Sequence, residues 1–281
     1  MSHAEDAVQH ARPIAATQSL DARLLEILAA EMTSVDEVAT GLAGVEACCM
    51  EAQDRRGVFA TAYLTITRAI QAEIVAGGFN DPAWVARYLV SFGNLYRRAM
   101  CAWSSGEPHS VPKSWCIAFD AARTGTGFVI QHLVLGINAH INHDLALALD
   151  EVGIDPTRPA KYEDHARVNT VLEAATAGLK SEVSTKYAPI LERLDWIAGR
   201  LDDDFMQFSI PKARDHAWSC AVSLAGARSE AERAILLRAL DEQAAVIARL
   251  ILAPPTRHPV LVRAVKAAER VDGLARRIFG F

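Results

Sequence analysis

The run Phe128-Val-Ile-Gln131-His132-Leu-Val-Leu-Gly136-Ile-Asn138-Ala-His140-Ile-Asn142-His143-Asp144-Leu-Ala-Leu-Ala-Leu149 decides the fold. Its first ten residues would pass for a buried strand. The continuation in leucine and alanine over three further turns predicts a helix instead. The segment is apolar on every side, so it belongs inside a protein, or inside a membrane. Its length would allow a membrane span, but its polar side chains are costly at a bilayer centre, so a buried soluble helix is the better reading.

Working outward, apolar residues recur with helical spacing almost everywhere. Leu20, Leu24, Ile27 and Leu28 open a first helix, and Ser34-Val-Asp-Glu37 is a capping box for a second that runs to Arg55-Arg56-Gly57. A third covers Val58 to Val75 and stops at Gly77-Gly78. Asp81-Pro82 starts a fourth, with an acidic cap and then a proline where the missing N–H costs nothing. Pro112 starts a fifth, which breaks at Gly125-Thr-Gly127. Beyond a loop over Asp150–Pro159, helices are expected at about 161–185, 187–199, 211–226, 230–252 and 259–278, with Ser209 and Ser229-x-x-Glu232 as caps and Arg200-Leu-Asp202-Asp203-Asp204 as an acidic connector. The expectation is one all-α domain over residues 19–281, a bundle of about ten helices around the buried central helix, preceded by a loose tail at 1–18.

Composition narrows the function classes. The chain has 281 residues, 51% of them hydrophobic and 22% charged, with 29 lysines and arginines against 34 aspartates and glutamates for a net charge of −5. That is a globular composition, and its mild acidity argues against a nucleic-acid partner. There is no phosphate loop, no G-x-G-x-x-G and no G-x-S-x-G. The acidic N-terminus lacks a signal-peptide core. Five cysteines, Cys48, Cys49, Cys101, Cys116 and Cys220, form no metal or disulfide pattern and read as free thiols in a reducing cytoplasm.

Chemistry concentrates in the central segment. At about 100° per residue, Gln131, Asn138 and Asn142 share one face, while His140 and Asp144 lie one turn apart on nearly the opposite face. His132 and His143 fall on a third stripe, roughly 16 Å apart along the axis, too far to share one ion. The His140–Asp144 pair suits acid–base catalysis, with the aspartate orienting the imidazole. It equally suits two ligands of a metal, or a structural network in which every polar group is satisfied. The metal and cofactor therefore remain unassigned. Asn138 and Asn142 bridge backbone groups or grip a substrate carbonyl. Tyr96 lies on an apolar stripe and needs an internal partner. Arg214 and Trp218, at i and i+4, would stack and give a cation beside an apolar wall. Asp164-His165, Asp215-His216, Asp120 and Asp195 are available elsewhere, at no metalloprotease spacing.

The run Gly136-Ile-Asn138-Ala-His140-Ile-Asn142-His-Asp144-Leu resembles the GMNAHIN-x-DL signature of the bacterial DUF5995 family, with Ile137 where methionine is usual. Supporting it are Phe79-x-Asp81-x-x-Trp84-Val85, Phe92-x-x-x-Tyr96, Val111-Pro112-x-x-Trp115-x-x-Ala118-Phe119, Val168-Asn169-x-Val171-Leu172 and Ala213-Arg214-x-x-Ala217-Trp218. The resemblance covers roughly residues 55–225. It implies a single helical domain with the sixth helix as signature, and Asn138, His140, Asn142 and Asp144 as the residues that matter. It implies no reaction.

Three functions follow as expectations. The first is a small-molecule enzyme in which His140, oriented by Asp144, moves a proton, with Asn138, Asn142, Tyr96, Arg214 and Trp218 around the substrate. Cyclisation, isomerisation or hydrolysis of an apolar oxygenated metabolite would fit. The second is a metal-dependent enzyme with His140 and Asp144 as ligands. The third is a non-catalytic ligand- or partner-binding module. A homodimer through the last two helices is compatible with their apolar positions.

Overall fold

The structure, a computed structural model, describes residues 14–187 and 210–253. The elements in chain order are α1 (Ile14–Ile27), α2 (Val35–Glu51), α3 (Arg56–Val75), α4 (Pro82–Ser104), a short 3-10 turn (Pro108–Ser110), α5 (Lys113–Thr124), α6 (Val129–Ala139), a π turn (His140–Asp144), α7 (Leu145–Val152), α8 (Arg158–Tyr187), α9 (Ile210–Ala225) and α10 (Glu230–Leu252). The fold is all-α, with no strand among the described residues.

The capping chemistry appears where the sequence places it. The Ser34 hydroxyl accepts the Glu37 N–H, and Glu37 reaches back to the Thr33 N–H at 2.6 Å. Asp81 accepts the Trp84 N–H at 2.8 Å, with Pro82 in the first turn. Ser229 and Glu232 repeat the arrangement at α10. Gly125 closes α5 in the left-handed region, at φ 66°.

Several boundaries differ from expectation. α1 begins at Ile14, inside the segment read as a tail, because its leucine stripe is docked on the core through Leu20, Leu24 and Leu28. The expected loop is shorter at both ends, since the central rod stays helical to Val152 and α8 starts at Arg158. α8 runs unbroken to Tyr187. The helices expected at 187–199 and 259–278, Ser209, Asp195, Asp202–Asp204 and most of the N-terminal tail lie outside the described residues.

α6, the π turn and α7 form one continuous rod, because every junction residue keeps right-handed helical dihedrals. α3, α4, α5, α9 and α10 all pack on it. Leu135, Ala139, Leu145, Ala146, Ala148 and Leu149 are fully or almost fully excluded from solvent. The signature segment is thus the axis of the fold. Burying this apolar surface is the main favourable term that orders it. None of the five cysteines is in a disulfide, and Cys48 and Cys49 lie within the core. No helix among the described residues is long and apolar enough to cross a membrane.

Candidate functional site

The polar faces of the rod have separate fates. The asparagine face meets α10, where Ala244, Ala245 and Ala248 let the backbones approach. Asn138 donates to the Ala244 carbonyl at 2.9 Å, and Asn142 donates to the Asn138 side chain at 2.9 Å. Gln131 donates to the Ile251 carbonyl at 2.6 Å, satisfying an acceptor in the last turn of α10. These amides lock two helices together.

The opposite face holds a different arrangement. The His140 Nδ1 lies 3.1 Å from one Asp144 carboxylate oxygen, which also accepts the Trp115 indole N–H at 2.8 Å. The other oxygen lies 2.8 Å from the Nδ1 of His143. Asp144 is 1% exposed. Burial alone would raise its pKa, but hydrogen bonds from the two histidines outweigh that and hold the carboxyl below the usual range. A carboxylate only accepts, so both Nδ1 atoms carry the proton. Burial keeps the His140 imidazole neutral, against the pull of Asp144. Its Nε2 is then a lone pair, buried and without a hydrogen-bond partner among the described residues.

His143 joins this set from within the π turn. The Leu145 N–H bonds the His140 carbonyl, five residues back, which widens the helix locally. His140 and Asp144 meet as the i, i+4 spacing predicts. The sharing of Asp144 by His143 has no signal in the apolar period.

Around His140 stands a wall of rings. Phe92 stacks on the imidazole, with centroids 3.4 Å apart and planes at 11°. Tyr63 approaches at 4.3 Å, Phe59 at 5.5 Å, Trp115 at 6.1 Å and Tyr96 at 6.4 Å. The hydroxyls of Tyr63 and Tyr96 are both buried with no partner among the described residues. Burial raises both phenol pKa values, so the hydroxyls stay protonated. Beside this wall lies a small cavity of about 10 Å³ lined by Arg55, Arg56, Phe59, Tyr96, Trp115, His132 and Gly136 among others. A cavity of that size is room for about one water. Tyr63 and Phe59 were missed from sequence because, one turn apart on an apolar helix, they look like ordinary core.

Arg214 and Trp218 do not stack on one another. The Arg214 guanidinium is bound to the His165 carbonyl at 2.6 Å, to Asn169 at 2.8 Å and, at the limit, to the Tyr88 hydroxyl at 3.5 Å. His165 faces it from α8 and meets the Arg214 carbonyl through Nε2 at 3.2 Å. Burial and the adjacent guanidinium keep that imidazole neutral. Trp218 packs on Tyr162 and His165 instead, each at 5.2 Å. The α8–α9 packing explains the difference, because it brings better acceptors to the guanidinium than an indole face.

No group of three or more His, Cys, Asp or Glu among the described residues is placed to hold a metal ion. At the His140 site both Nδ1 atoms and both carboxylate oxygens are spent on one another and on Trp115.

Fold and site together define an all-α protein whose axial helix carries a buried histidine–aspartate pair in an aromatic wall. Over residues 35–254 the chain matches the model of a family of unknown function, DUF5995, and it belongs to that family. No curated protein and no solved structure matches it. The motif segments of the chain converge in space: Trp115 on Asp144, Phe92 on His140, Asn169 on Arg214 and Trp84 on the Gly153 carbonyl closing α7.

Proposed function

We propose that this chain is an enzyme that moves a proton on a small, largely apolar, oxygen-bearing molecule, with His140 as the base and Asp144 as the group that orients it. The observation that carries the reading is the unspent Nε2 of His140, on a ring whose other nitrogen is held by a buried carboxylate. Leaving a buried acceptor unpaired costs about 1–3 kcal/mol, and such costs gather at functional sites. Two unspent phenol donors, Tyr63 and Tyr96, stand in the same wall. A base in a wall with two hydroxyl donors suits removal of a proton next to a carbonyl: the carbonyl oxygen takes hydrogen bonds from the phenols while Nε2 takes the proton and returns it elsewhere. The cavity beside the wall holds about one water, so a substrate reaches Nε2 only when rings of the wall swing aside. Isomerisation and cyclisation both proceed this way. The partner is a small molecule, and five cysteines outside any disulfide fit a cytoplasmic location. A metal role for the pair is the weaker reading, since both Asp144 oxygens are already engaged and no group of three ligands among the described residues is placed to hold an ion.

The test compares wild type, His140→Gln and Tyr63→Phe on a metabolite extract, with product profiles read by mass spectrometry. Wild type should deplete a small apolar metabolite. His140→Gln should lose that turnover at least a hundredfold with its helical circular dichroism intact, given the usual weight of a general base. Tyr63→Phe should lose rate yet match or exceed wild-type stability, because it removes an orphaned hydroxyl. Turnover surviving in His140→Gln would sink the proposal.

A further inference from the structure

His132, Gly136 and His140 stand at i, i+4 and i+8, each about 40° further round the rod, so Gly136 falls between the stripes that carry the two histidines. The two imidazoles are both buried, and three of their four ring nitrogens have no partner among the described residues. Between them Gly136 has no side chain, and the Phe59 ring fills that space; a methyl group at Gly136 would overlap the ring. On one side of Phe59 is the cavity bordered by His132, Tyr96 and Trp115, with partly exposed Arg55 at its rim. On the other side is His140, 5.5 Å from the Phe59 ring. Phe59 thus lies against Gly136, bordering both the cavity that His132 lines and the His140 ring.

We propose that the groove from His132 to His140 is a ligand slot for a flat aromatic molecule with a hydroxyl at each end, and that Phe59 is the plug that such a ligand displaces. Eight residues of helix span about 12 Å, the length of such a molecule. Each neutral imidazole supplies an acceptor for a hydroxyl, and the walls, Tyr96, Trp115 and Phe119, are aromatic. Aromatic faces favour a planar ligand in offset or edge contact. A buried slot disfavours a charged one. The His140 end rests on the proposed catalytic reading, and the His132 end does not.

The test titrates wild type, Phe59→Ala and Phe59→Ala/His132→Leu with para,para′-dihydroxybiphenyl. Binding is read by tryptophan fluorescence and by nitrogen NMR of the histidine rings. Phe59→Ala should bind at least tenfold more tightly than wild type, moving the His132 and His140 resonances and leaving surface His216 in place. The added His132→Leu should cost about tenfold. Phe59→Leu replaces Phe59→Ala if the latter does not fold. Absence of saturable binding in the Phe59 variant overturns the slot, as does binding that moves only one of the two histidines. Turnover surviving in His140→Gln would strike the catalytic reading alone, so the two failures are distinguishable.

Discussion

Acidifying this protein from pH 7 to pH 5 is expected to remove about 2 kcal/mol of stability through His132 alone, from an unfolded-state value near 6.5 and a folded value near 3. Burial is the main cause of that depression, reinforced by the nearby Arg55 cation and opposed by Asp54. A folded pKa below the unfolded one means that the unfolded chain binds the proton first. The stability is therefore fully present above about pH 6.5 and is lost as the pH falls toward 3, at about 1.4 kcal/mol per unit. His140 and His165, also held neutral by burial, act in the same direction. Asp144, with its pKa lowered, adds a loss only below the ordinary carboxylate range. A typical domain has about 5–15 kcal/mol in all, so this one group puts a sizeable share of the total at stake in acid. Urea unfolding at pH 7 and pH 5, on wild type and His132→Leu, checks this. The variant should show a loss smaller by about 2 kcal/mol. Equal losses would mean that His132 has a partner or takes its proton in the fold.

Asp144→Ala is the second large effect. The carboxylate takes N–H bonds from Trp115, His140 and His143, all buried. Its removal orphans three donors in a dry interior, an expected loss of about 3–5 kcal/mol. Asp144→Asn keeps one acceptor oxygen and should lose less. Thermal and urea midpoints measure both. A loss under about 1 kcal/mol for the alanine variant would show that Asp144 is not the shared acceptor of this site.

Much of this arrangement was legible beforehand, and for local reasons. Ser34, Asp81 and Ser229 act on N–H groups three residues away, so their caps can be read without tertiary information. The division of the central helix into an asparagine face and a His140–Asp144 face follows from helical rotation, and it survives in the contacts with α10 and with the aromatic wall. What escaped the sequence depends on packing. The π turn leaves no mark in the apolar period, and the contact of His143 with its neighbour Asp144 depends on side-chain rotamers that the sequence does not fix. Arg214 was expected on Trp218, but α8 supplies Asn169 and the His165 carbonyl, which outcompete an indole. Phe59 matters because Gly136, distant in sequence, leaves the space it fills.

The central claim is that His140 carries a free basic nitrogen, and nitrogen NMR on histidine-labelled protein at pH 7 tests it most directly. The account predicts a neutral His140 ring with its proton on Nδ1, coupled to Asp144, and an Nε2 resonance typical of an unprotonated, unbonded nitrogen. A His140 with its proton on Nε2, or one protonated on both nitrogens, would contradict it.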